Sequence, residues 1–84
     1  MGKEPVQVNL KNIDGQVTKI GGLYSTNTFK ELISKAAQVM GLQMDQLILV
    51  SAGKPLEEKD HNKTLDELGI FNNATLFSII RLRG

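Results

Sequence analysis

The sequence contains no cysteine and no tryptophan, one histidine, one tyrosine, two prolines and almost no net charge (+1). Each scarcity closes a route to function. Without cysteine there is no disulfide staple, no thiolate nucleophile and no thiolate metal site, which fits a cytosolic or nuclear setting. Near-zero net charge removes the basic field that non-specific nucleic-acid binding requires. No apolar run approaches the ~20 residues that span a bilayer. The opening MGKEPVQ has no apolar segment of the kind a signal peptide needs. Its sixth residue is Val6 rather than Ser or Thr, so the myristoylation pattern fails as well. The expectation is a soluble, monomeric intracellular protein without a cofactor, acting on neither membrane nor nucleic acid. At 84 residues a second hydrophobic core would be too small to hold together. The expectation is therefore a single domain over 1–84, with flexible ends at 1–4 and 81–84.

What is present is organised by period. In VQVNL, Val6, Val8 and Leu10 alternate with Gln7 and Asn9, the pattern of a half-buried strand. Asp14-Gly15 then predicts a tight hairpin turn. A second strand is expected through QVTKI, ended by Gly21-Gly22. From Phe29 to Met40 the apolar residues Phe29, Leu32, Ile33, Ala36, Ala37 and Met40 share one helical stripe. Thr28 and Glu31 form a capping-box pair in front of it, and Gly41 suits its left-handed end. After a short turn at QMDQ, LILVSAG predicts a third strand and a tight turn. A very short strand and polar loop are expected around Leu56, then one helical turn in TLDELGI capped by Thr64 and stopped by Gly69. ATLFSIIRL reads as the last strand.

One helix can cover only one face of such a sheet. The opposite face should be polar, as it is expected to be in VQVNL and QVTKI. In LILVSA and LFSII it is not. If Leu47 and Leu49 face the helix, Ile48 and Val50 face away. If Leu76, Ser78 and Ile80 face the helix, Phe77 and Ile79 face away. With Ile13 at the tip of the first turn, these residues predict an apolar partner-binding patch. The competing expectation is that the loop at 57–63, or a second copy of the chain, buries them.

No catalytic constellation emerges. His61 stands alone in a charged loop, and Glu57, Glu58, Asp60, Asp66 and Glu67, interleaved with Lys59 and Lys63, read as a solvated face. No serine has a base and an elbow context, and the glycines form no phosphate-binding pattern. The expectation is a protein that is not an enzyme.

LKNIDGQ, TFKELISKAAQVMGL, DQLILVSAGKPLEE, KTLDELGI and ATLFSIIRLRG together resemble ubiquitin and the ubiquitin-like domains, from about Val6 to Gly84. The resemblance implies an α+β, β-grasp fold: a mixed sheet of four to five strands packed on one main helix. It implies a recognition patch at Ile13, Ile48, Val50, Gly53, Phe77 and Ile79, which binds receptors carrying small helical or zinc-finger modules. Phe77 stands where ubiquitin has a histidine, and Asn9 where it has a surface phenylalanine. Lys11 and Lys54 match two chain-building lysines, whereas Gln16, Ile33, Val39 and Asn72 stand at other lysine positions. Ser78 falls where a core leucine is expected, and the loop around Asp60 and His61 is longer.

Two functions follow from the resemblance. One is an interaction module whose partners are receptors, ligases and deubiquitinating enzymes of the ubiquitin and proteasome system. The other is a modifier whose C-terminal glycine is joined to lysine amines. Its tail would be Arg81, Leu82, Arg83 and Gly84: glycine lacks a Cβ and can thread a narrow channel, and the arginines can pair with acidic groups on an enzyme. Conjugated relatives mostly end in two glycines and one stands here. That leaves open a further glycine, a larger protein beyond it, or a domain that is never conjugated.

Overall fold

The computed structural model describes residues 3–81. β1 (Pro5–Lys11) and β2 (Val17–Tyr24) form an antiparallel hairpin, followed by helix α1 (Phe29–Met40). β3 (Leu47–Ser51), β4 (Lys54–Pro55) and β5 (Ala74–Ile80) complete one five-stranded sheet in the order β2-β1-β5-β3-β4. The central pair, β1 and β5, is parallel, and the remaining pairs are antiparallel. This is the mixed sheet and single helix of a β-grasp fold.

The helix forms where its period and caps predict. Thr28 Oγ1 accepts from the Glu31 N–H at 3.3 Å, and Glu31 Oε1 accepts from the Thr28 N–H at 2.8 Å. Gly41 takes φ 72°, and the Leu42 N–H reaches back to the Ala37 carbonyl at 2.8 Å, closing the C-terminus in a Schellman motif. The stripe residues Phe29, Leu32, Ile33, Ala36 and Ala37 are buried against Val6, Val8, Leu10, Leu47, Leu49 and Leu76 of the sheet. Leu65 and Ile70, from the segment before β5, close the core.

That segment repeats the helix's capping device. The Thr64 N–H donates to Glu67 Oε1 at 2.8 Å and the Glu67 N–H donates to Thr64 Oγ1 at 3.1 Å. It is a hydrogen-bonded turn rather than a regular helix, and Gly69 leaves it at φ 73°. The two capped segments are tied to each other: the Phe29 N–H donates to Lys63 and the Leu65 N–H to Asn27, both at 2.9 Å.

Four expectations need correction. β2 does not stop at Gly21-Gly22 but runs through them to Tyr24. Val8 pairs with Ile20 and Val6 with Leu23, so one extra residue is accommodated there as a bulge. Gly22 takes φ 73° and lets Leu23 turn inward after Ile20, a shift that strict alternation cannot describe. Second, the outer face of β2 is not wholly polar, because Val17 is half exposed on it. Third, Ile80 lies opposite Leu47 and so on the helix side, yet it is 48% exposed, at the last rung of the ladder where no described element covers it.

Fourth, Asp60 is not solvated. It is buried, with Oδ2 accepting from the Glu57 N–H at 3.0 Å and Oδ1 3.2 Å from Lys63 Nζ. The carboxylate thereby folds the loop into a turn at Glu58–Asp60. His61 is likewise half-buried, its ring centroid 5.7 Å from that of Phe29.

Candidate functional site

The register of the sheet assembles the outer surface. Val17 pairs with Lys11 across β2 and β1, Lys11 with Phe77 across β1 and β5, Phe77 with Val50 across β5 and β3, and Val50 with Pro55 across β3 and β4. Paired residues share a face, so one continuous row crosses all five strands on the side away from α1. Ile48 and Ile79 pair in the neighbouring row on the same face. Four of the residues expected to form the patch, Ile48, Val50, Phe77 and Ile79, are thus a two-by-two block across β3 and β5.

Exposure separates this block from the core. Phe77 is 53% and Ile79 44% exposed, while Ile48 and Val50 are half-buried. The alternates Leu47, Leu49, Leu76 and Ser78 on the same strands are buried. The 57–63 loop does not cover the block. It packs on the helix side instead, where the Lys30 N–H donates to the His61 carbonyl at 3.1 Å.

Two turns frame the block. Ile13 is 89% exposed in the β1–β2 turn. The Asn12 side chain holds that turn, its Oδ1 accepting from the N–H groups of Asp14 and Gln16, each at 2.9 Å. Because β1 and β5 run in parallel, the chain leaves Lys11 toward Ile13 in the direction in which Phe77 leads to Ile79. Gly53 sits in the two-residue turn between Ser51 and Lys54, where Ala52 (φ 52°) and Gly53 (φ 81°) are both left-handed. Two consecutive positive φ values match the twist of a hairpin, and only glycine takes them without steric cost. Lys54 is exposed directly after the turn.

A model described as the ubiquitin family matches residues 8–83. The chain belongs to the ubiquitin family. Its five-stranded sheet and single helix are the β-grasp architecture of that family. No helix of the described residues is long and apolar enough to cross a membrane.

The outer face of β3 and β5 is aliphatic and aromatic. On the same face, Asn9 of β1 pairs with Lys19 of β2 and Thr75 of β5. Its Nδ2 donates to the Asn73 carbonyl at 3.3 Å, while its Oδ1 is buried without a hydrogen bond to another described residue. Arg81 is exposed, and its N–H donates to the Gln46 carbonyl at 2.6 Å, anchoring the chain just past β5. Leu82, Arg83 and Gly84 lie outside the described residues. Val17, Pro55 and the position of Lys11 between two apolar neighbours are not legible in the sequence. Their place in the row depends on register, which single strands do not carry.

Proposed function

We propose that this ubiquitin-family chain is a protein-interaction module, recognised through the outer face of β3 and β5 by receptors, ligases or deubiquitinating enzymes of the ubiquitin system in the cytoplasm or nucleus. The observation that supports this reading is the exposed block of Ile48, Val50, Phe77 and Ile79 on strands whose alternate residues are buried. Burial of apolar area drives such association, and a central aromatic side chain supplies much of it. Phe77 is that anchor. An aromatic ring, where ubiquitin has a histidine, makes the contact independent of protonation. Titrating the isotope-labelled protein with a helical ubiquitin-receptor domain tests the reading. Amide shifts confined to residues 48–50, 77–79 and the turn around Ile13 support it; no shift at the block contradicts it.

The second reading, a conjugated modifier, is favoured by the sequence Arg81-Leu82-Arg83-Gly84. In it the carboxylate of the C-terminal glycine is activated, and Lys11 or Lys54 serves as acceptor when chains form. Lys54 is exposed on the two-residue strand β4. Incubation of the full-length gene product with activating enzyme and ATP distinguishes the two readings: a thioester adduct supports the modifier, and its absence leaves the module.

A further inference from the structure

A groove of about 590 Å³ lies on the other side of the sheet edge, between α1, the start of β3 and the 56–61 loop. It is within the ~300–1,000 Å³ range of sites that hold ligands. Phe29, Ile33 and Leu47 form its buried floor, and Met44, Ile48 and Leu56 its half-buried apolar walls. Only Ile48 belongs to the outer block as well.

The rim has a distinct charge. Glu57 and Glu58 line the groove and are exposed, beside one guanidinium among the described residues, Arg81, and the half-buried His61 ring. Two carboxylates to one guanidinium reverse, locally, the sign of a chain whose net charge is +1. The wall that carries both of them is held in place: Asp60 accepts from the Glu57 N–H, the Leu56 N–H donates to the Leu49 carbonyl at 2.8 Å, and His61 packs on Phe29. A preformed wall reduces the ordering cost of binding.

We propose that this groove is a second docking site, for a partner peptide segment that carries a large apolar side chain flanked by lysine or arginine. The apolar side chain occupies the floor at Ile33 and Leu47, and the cationic flanks face Glu57 and Glu58. Opposite charge at the rim steers encounter and selects partners more than it adds affinity. Val50 and Phe77 do not line the groove, and the two surfaces meet at Ile48 and Pro55.

The test is selection of a displayed library of random 12-residue peptides on the full chain carrying Val50→Ser and Phe77→Ser, which silences the outer block without adding charge. Enriched peptides should pair Leu, Ile, Phe or Met with Lys or Arg. Their synthetic forms should shift the amides of Ile33, Leu47 and Leu56. They should bind roughly 3- to 10-fold more weakly to the Glu57→Lys, Glu58→Lys variant, the loss of two exposed ion pairs, while that variant melts like its parent. Failure to enrich, enrichment of peptides without basic residues, or shifts elsewhere overturn the proposal. A dimer of the chain that the same charge reversals abolish also overturns it, by making a second copy the occupant.

Discussion

Val50 and Phe77 lie directly opposite each other in antiparallel β3 and β5, both on the sheet face that α1 does not cover. Their strand neighbours Leu49 and Ser78, also paired, are buried on the opposite face. The same two strands therefore carry the core on one side and the proposed docking surface on the other.

Substitutions at adjacent residues should separate these roles. Val50→Ser and Phe77→Ser should each cost less than about 1 kcal/mol, the span of strand preference on a half-buried sheet face. Leu49→Ala, one residue away but fully buried, should cost ~2–5 kcal/mol. Urea denaturation of the three variants checks the contrast.

Both capping boxes should contribute to stability. Thr28→Ala removes the acceptor for the Glu31 N–H, and Thr64→Ala the acceptor for the Glu67 N–H. Each should destabilise by about 1 kcal/mol, lowering Tm by ~4–8 °C for a domain of this size. Scanning calorimetry on the single variants measures both losses.

Acid should act through three carboxylates. The Thr28 backbone N–H, then the side chains of Asn27 and Thr28, hold Glu31 below its ordinary pKa of 4.5. The Thr64 backbone N–H does the same for Glu67, and the Glu57 backbone N–H, then Lys63, lowers Asp60 from 3.8. The unfolded chain then binds more protons, so this stabilisation is present above about pH 4.5 and lost as pH falls through the lower folded-state values. The triple variant Glu31→Gln, Asp60→Asn, Glu67→Gln should show a flatter dependence of Tm on pH between about pH 5 and pH 2 than the parent.

Gly22→Ala should destabilise by roughly 1–2 kcal/mol, because an L-residue is forced into the left-handed region at φ 73°. A Cβ there also meets the Lys35 ammonium, which a flexible side chain can withdraw. Gly22→Ala combined with Lys35→Ala should therefore keep most of the loss; chemical denaturation that finds full recovery would assign the cost to the clash instead.

The sequence was most informative where period and cap agree. The stripe from Phe29 to Met40, bracketed by Thr28 and Gly41, is a local signal, and the helix lies where it says. Covering arithmetic also identified Phe77 and Ile79 as outward-facing, because alternation along one strand is local too. What depended on two strands at once was illegible. The bulge at Gly21-Gly22 inverts the period before Leu23, and the row from Val17 to Pro55 exists only through four registers. Asp60 reads as one acidic residue among several in a polar loop; its burial follows from the backbone turn that its own carboxylate closes. The apolar groove was hidden for a similar reason, since Ile33 and Leu56 belong to segments that only the fold brings together.

The central claim, that the face bearing Val50 and Phe77 is a binding surface and not part of the core, is tested most directly by one paired measurement on the Val50→Ser, Phe77→Ser variant. Its thermal melt and its affinity for a helical ubiquitin-receptor domain are recorded beside those of the parent. The account predicts a melt within about 15 °C of the parent, from two losses each under about 1 kcal/mol, together with loss of binding. An unfolded variant, or one that binds as the parent does, would contradict it.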